Sequence, residues 1–487
     1  MMAVVPTGIP GLDALLGGGG LVAGTMALVE GAPGAGKTTL GLQFVYQGVV
    51  EHGEPGVVIT FEETPQQLYR DALNFGWDLR RLVQDGKLTV ICLTAEVLHR
   101  YLDDPEALWE RLARGAVPHR VLVDSVTHLR QLSTDEARLR DILNLFLYGM
   151  RRQGVTALLL LEMEERVGER IPFEEYAVDA VIRLSYLPPH EGSGQRQRYL
   201  EILKTRGQEH VPGRHSYKLV ADGLRVFPRP RPRAMMPPHD DRRAFLGVTG
   251  FDGLLGRGAP VPTQVMLVGD TGVGKTLSAL LFLHEGLQCG EWCAVIGCDE
   301  APAMTRRTLA HFGMPTAAHE RLGRLRFVDA YSREGAQGRD RAGGEGAWVS
   351  DPANLDEFPN VEDALLDRLQ ARGDPARLCV DGVSTILATH SYQATIDFVT
   401  AHLHNLRARG MFSLDTYTSG VLDPRLMATI TQHYDLVLGL RFAAIHGAPL
   451  RLGAIEKYRY GQVARAEQIF SVDARLGLIS HHAALQG

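Results

Sequence analysis

Two glycine-rich loops, 238 residues apart, constrain this 487-residue chain more than any other feature. The first reads Gly31-Ala32-Pro33-Gly34-Ala35-Gly36-Lys37-Thr38, the second Gly269-Asp270-Thr271-Gly272-Val273-Gly274-Lys275-Thr276. Both fit the Walker A pattern G-x-x-x-x-G-K-[ST]. Glycines let successive backbone N–H groups curl around a phosphate without Cβ clashes. The lysine brings a point charge to the β- and γ-phosphates, and the threonine hydroxyl ligates Mg2+. Each loop follows an apolar run and precedes a helix-like stretch. The pattern therefore predicts two ATP sites, with contacts extending to the next residues, Thr39 and Leu277.

The loops belong to a repeat. Thr7-Gly8-Ile9-Pro10-Gly11-Leu12-Asp13 opens one half, and Val248-Thr249-Gly250-Phe251-Asp252-Gly253-Leu254 opens the other. In each half an apolar strand, the loop, a helix (Leu40–Val49 or Leu277–Gln288) and a second strand follow in the same order. Alternation of strands and helices predicts an α/β fold: two tandem P-loop domains, each with a mostly parallel twisted sheet flanked by helices and ligands at the strand C-termini. The expected boundaries are a first domain over 1–226, a Pro/Arg-rich linker over 227–244, and a second domain over 245–487. Lys37 precedes Asp124 by 87 residues, whereas Lys275 precedes Asp381 by 106. The surplus is expected in a flexible insertion near 331–360, rich in Gly, Arg, Asp and Glu.

Hydrolysis also needs a metal grip and water activation. Val121-Leu122-Val123-Asp124 and Leu378-Cys379-Val380-Asp381 have the Walker B form, so Thr38 with Asp124 and Thr276 with Asp381 are the expected Mg2+ ligands. Glu62 and Glu63 follow the strand after the first P-loop helix, where a carboxylate can take a proton from water. Asp299 and Glu300 follow the corresponding strand of the second half. Asp is one methylene shorter than Glu, and Glu300 lies as far from Lys275 as Glu62 does from Lys37, so either acid suits the role of base. Lys204-Thr205-Arg206 and Lys457-Tyr458-Arg459 repeat as K-x-R after strand patterns. They read either as cations reaching a neighbour's γ-phosphate or as exposed basic strand ends.

Composition narrows the classes. Net charge is −6, which argues against a chain-wide nucleic-acid surface. The five cysteines have no metal spacing, and no apolar run is long enough to span a membrane. A cytoplasmic protein with free thiols is expected.

The ordered set Thr7–Gly20, Gly31–Thr38, Glu54–Pro65, Phe75-Gly76-Trp77-Asp78-Leu79, Val123–Thr127 and Leu200–Gly207 resembles the KaiC family of tandem RecA-like ATPases and autokinases of the circadian clock. The resemblance implies two RecA-like domains stacked as a double-ring homo-hexamer. ATP would lie between protomers, with Lys204, Arg206, Lys457 and Arg459 reaching across. It also implies a slow ATPase in the first ring, Ser/Thr autophosphorylation in the second, and regulatory protein partners. The chain departs from the family at several places. The family's Ser-Thr acceptor pair falls on Ala428-Thr429, which leaves Thr429 as the candidate acceptor. The segment between Thr418 and Ala428 is short, and the family's long C-terminal tail is not expected after Gly487. Two other classes are weighed against this reading: a nucleotide-gated signalling scaffold with a structural second ring, and a nucleic-acid-dependent motor.

Overall fold

Apolar runs of five to seven residues form the centres of two parallel sheets. A computed structural model describes residues 3–61, 63–93, 118–163, 172–187, 197–229, 242–331, 355, 357–370, 373, 375–445, 448–461, 467–473 and 477–481. Glu62, residues 230–241 of the expected linker, and residues 332–354 and 356 of the expected insertion lie outside them. The chain divides into two compact units, the first reaching Arg229. Among the described residues no helix is long and apolar enough to cross a membrane.

Each unit builds a large sheet with the same strand order. In the first, Leu88–Cys92, Gly56–Thr60, Arg120–Asp124, Thr156–Glu162, Met26–Gly31 and Ala180–Leu187 lie side by side and parallel. Gln197–Thr205, Arg214–Val220 and Gly223–Phe227 extend the sheet antiparallel. In the second, Leu325–Asp329, Trp292–Gly297, Ala376–Asp381, Phe412–Thr418, Gln264–Gly269 and Leu436–Ile445 are parallel. Ala448–Tyr458, Gln468–Asp473 and Gly477–His481 follow antiparallel. Both P-loop strands are therefore central, and their carboxyl ends open where ligands of open α/β sheets bind.

Period-two alternation gives every central strand two buried faces. Ala27 and Val29 pack with Leu40, Phe44 and Val45 of the P-loop helix Lys37–His52. Met26 and Leu28 pack with Leu143, Phe146 and Leu147 of helix Glu136–Arg152 on the other side.

The second unit breaks this apolar scheme at one place. Asp415 lies on the strand beside the P-loop strand, opposite Met266. Its first-unit counterpart is Leu159, opposite Leu28. Asp415 Oδ2 lies 3.0 Å from His402 Nε2 and accepts the Tyr434 hydroxyl at 2.6 Å. His402 Nδ1 lies 2.6 Å from Glu362 Oε1. All four residues are buried. Burial pushes the His402 pKa down, but the carboxylates of Glu362 and Asp415 outweigh it and hold the imidazole up at about 10. A cation between two anions is thus sealed in the core. Breaking such a cluster strands a charge, whereas replacing it whole is far cheaper. His402→Phe should destabilise the chain by about 3–5 kcal/mol. The triple replacement His402→Phe, Asp415→Leu, Glu362→Leu should recover most of that loss, as urea unfolding of the three proteins would measure.

Candidate nucleotide sites

The first site is built from the ends of three adjacent strands. Met26–Gly31 runs into the loop, and Gly36 turns it into helix Lys37–His52 with φ 93°. A side chain would be strained there, and its absence opens the loop backbone for a phosphate. Lys37 is buried, and its ammonium donates to Gly31 O at 2.9 Å and Ala32 O at 3.1 Å. Burial pulls the Lys37 pKa down, against the charges of Glu162 and Asp124. Thr38 Oγ1 donates to Asp124 Oδ2 at 2.8 Å, so the two expected metal ligands meet. Thr39 is half-buried on the helix, and Pro33 and Gly34 are exposed at the loop tip. The loop is braced from the antiparallel side: Tyr217 donates to Ala35 O at 2.5 Å, and Tyr186 to Gly34 O. Sequence reading missed these tyrosines and Glu162, whose carboxylate lies 4.0 Å from Lys37 Nζ. Glu162 had a legible signal, an acid closing an apolar strand, but the tyrosines had none.

The strand before the acids ends at Thr60, and Glu63 N donates to Thr60 Oγ1 at 3.1 Å. Glu62 lies outside the described residues.

The second site repeats the cradle. Gly274 has φ 115° at the start of helix Lys275–Gln288, and Gly272 has φ 76°. Lys275 Nζ donates to Gly269 O at 3.0 Å and Asp270 O at 2.9 Å. The Asp270 side chain accepts Phe442 N at 3.1 Å and so braces the loop. Thr271 is exposed, while Val273 and Leu277 are buried in the core, so Leu277 offers no side chain to a nucleotide. Asp381 takes hydrogen bonds from Thr276 and Thr416. Burial raises its pKa, those two bonds oppose the rise, and the charges of Asp299 and Glu300 add to it.

Strand register separates the two acids of this half. Phe61 N donates to Asp124 O, and Cys298 N donates to Asp381 O. The next residue after each is Glu62 and Asp299. Counting from the lysine had paired Glu62 with Glu300, but the stretch from Lys275 to Gly297 is one residue shorter than that from Lys37 to Thr60. Asp299 accepts the Thr385 hydroxyl and packs on Gly382, where a Cβ would strike it. Glu300 turns instead to Thr305, at 3.0 Å.

The two K-x-R segments have matching surroundings. Lys204 Nζ donates to Glu175 O and Val178 O, and Lys457 Nζ to Thr431 O, Gln432 O and Tyr434 O. Both lysines cap the carbonyls that end a helix, Phe173–Ala177 or Pro424–His433. Arg206 lies 3.7 Å from Asp179, and Arg459 lies 2.7 Å from Asp435. Each Asp also accepts the N–H that opens its P-loop strand, from Met26 at 3.0 Å or Gln264 at 3.1 Å.

A family model described as "ATPase: KaiC" matches residues 5–231 and again 245–481. The chain belongs to the KaiC ATPase family. Its two units are tandem RecA-like P-loop domains. The circadian clock oscillator protein KaiC of Synechococcus elongatus is 30% identical over 475 residues, covering 94% of this chain and 85% of that protein. The protein of the same name from Thermostichus vulcanus is 29% identical over 471 residues, covering 93% and 85%. That from Parathermosynechococcus lividus is 32% identical over 335 residues, covering 67% and 61%.

Within this KaiC-family frame, Thr429 sits on helix Pro424–His433, half-buried. Its hydroxyl donates to Arg425 O at 3.0 Å and meets the Tyr392 hydroxyl at 2.8 Å. The neighbouring Ala428 is exposed.

One charge beside the first loop is unusual. Glu30, the residue before Gly31, is fully buried and pairs with Arg183 at 2.5 Å. Burial drives its pKa from the ordinary 4.5 to about 7, with Arg183 opposing the rise and Glu175 adding to it. The folded state therefore holds this proton more tightly than the unfolded chain. The stability it contributes is full below pH 4.5 and lost as pH rises through 7. Glu30→Gln removes the titration, so the melting temperature of the variant relative to the parent should rise between pH 5 and 8, by the equivalent of up to about 3 kcal/mol. Parallel melting curves at both pH values check this.

Proposed function

We propose that the chain hydrolyses ATP at the first site and binds ATP at the second as a substrate for autophosphorylation. The observation that carries the ATPase reading is the meeting of Thr38 and Asp124 at 2.8 Å beside Lys37, at the end of the P-loop strand. That hydroxyl–carboxylate pair, with the left-handed glycines, suits a magnesium–nucleotide complex. Bound Mg2+ would be held by Thr38 and Asp124, or by Thr276 and Asp381, and would neutralise charge on the phosphates. Lys37 would exchange its carbonyl partners for phosphate oxygens. Glu62 or Glu63 would take a proton from the attacking water. Water oxygen then bonds to the γ-phosphorus, the bond to the β–γ bridging oxygen breaks, and ADP leaves with phosphate.

In the second site Asp299 is the better-placed base by register. It would take the proton of an acceptor hydroxyl, with Thr429 as the proposed acceptor. Half-burial on a helix beside Tyr392 leaves that hydroxyl an approach from solvent. We further propose a homo-hexamer with ATP at protomer interfaces. There Arg206 and Arg459, exposed although each pairs with its own Asp, are more accessible to a neighbour than Lys204 and Lys457, which are half-buried against their own helix ends. The names of the relatives, circadian clock oscillator proteins, support a clock-related role; regulatory protein partners and a cytoplasmic location are part of the same proposal.

Lys37→Ala should remove most of the slow phosphate release. Release at the parent rate would reject the first-site assignment. Intact-mass measurement after incubation with ATP should show an added phosphate that Thr429→Ala loses. Phosphopeptides mapping to another residue, such as Thr431, would remove Thr429. Absence of any added phosphate would leave the second ring a nucleotide-gated scaffold.

A further inference from the structure

The strand between the second P-loop strand and the second Walker B strand reads Phe412-Ser413-Leu414-Asp415-Thr416-Tyr417-Thr418. Its first-unit counterpart reads Thr156-Ala157-Leu158-Leu159-Leu160-Leu161-Glu162. A buried polar group needs a partner or it costs stability. Asp415 and Thr416 point to opposite faces of the sheet. Asp415 anchors one face through His402 and Tyr434. Thr416 faces the Walker B end.

The direction of the Thr416 proton follows from its two partners. Thr416 Oγ1 lies 2.7 Å from Gly382 N, and an amide nitrogen can only donate. The single hydroxyl proton therefore goes to Asp381 Oδ1, 2.6 Å away. One oxygen of the carboxylate is thereby fixed. The same hydroxyl, accepting from Gly382 N, holds the Gly382 backbone, on which Asp299 rests. The structurally equivalent residue in the first unit is Leu160, which has no hydroxyl to offer Asp124.

We infer that Thr416 is a positioning residue of the second nucleotide site: its hydroxyl sets the Asp381 carboxylate for Mg2+ and the Gly382 turn for Asp299. This rests on the reading of the second loop as a magnesium–nucleotide site. Thr416 touches neither substrate nor metal in this role. Removing it should therefore weaken the metal's hold without weakening the loop's hold on phosphate. Groups that orient metal ligands from behind typically change metal affinity about 10–100-fold when removed.

The test uses the full chain carrying Lys37→Ala, which leaves the second site as the nucleotide site. Binding of a fluorescent ATP analogue is titrated with Mg2+ and, separately, measured in excess EDTA. Thr416→Val keeps the branched shape and loses the hydroxyl. It should raise the half-saturating Mg2+ about tenfold, leave affinity in EDTA unchanged, and be rescued by Thr416→Ser. If the valine variant does not fold, Thr416→Ala is read the same way. A Mg2+ dependence equal to the parent's overturns the inference. So does an equal loss of affinity in EDTA, or a serine variant that behaves like valine. If the Lys37→Ala parent, with Thr416 intact, binds no nucleotide, then the reading of the second site falls and takes the inference with it.

Discussion

The hydrogen bond between a P-loop threonine and a Walker B aspartate is the contact on which the rest of each site depends. In the first unit Thr38 reaches Asp124 across 86 residues of sequence. The bond forms only if the P-loop helix starts at the mouth of the sheet and the Walker B strand ends there too. Parallel register supplies both conditions, since Gly31 pairs with Glu162 and Thr60 with Asp124 at the same edge. Every other group takes its place from that alignment. Lys37 folds back onto the strand-end carbonyls, and Phe61 N hands the chain off the Walker B carbonyl.

The two units repeat this frame with different chemistry inside it. The first has an apolar strand behind Asp124 and a buried carboxylate, Glu30, beside its loop. The second places polar residues in the equivalent core and leaves the loop strand apolar at Val268. Burying His402, Glu362 and Asp415 carries a desolvation cost that apolar side chains avoid, and the ion pairs offset it only as a complete set. The apolar alternative is visible in the same chain: Leu159 stands where Asp415 does, and Phe146 of helix Glu136–Arg152 stands where His402 does in the equally long helix Tyr392–Ala408. The KaiC fold therefore does not require the charged cluster, and its presence marks the second unit as specialised around Asp415 and its neighbour Thr416.

Some of the site was legible residue by residue, and some was not. The loops, the Walker B acids and the K-x-R pairs have fixed local spacing and were readable directly. The choice between Asp299 and Glu300 was not, because a one-residue shortening between helix and strand shifts any count along the chain. The lysines of the K-x-R pairs gained an unexpected role as helix-end caps, since the carbonyls they bind come from segments 20 to 30 residues upstream. Tyr186, Tyr217 and Thr416 carry no motif at all.

The sequence by itself determined that this chain has two phosphate-binding loops, each set in an alternating α/β repeat. That information is local, because glycine spacing and apolar periodicity act within a few residues. Tertiary structure decided which acid follows the Walker B backbone, which lysine protons are already engaged, and where a core histidine is held charged. Those outcomes depend on strand register and burial, which bring together residues that no spacing along the chain connects.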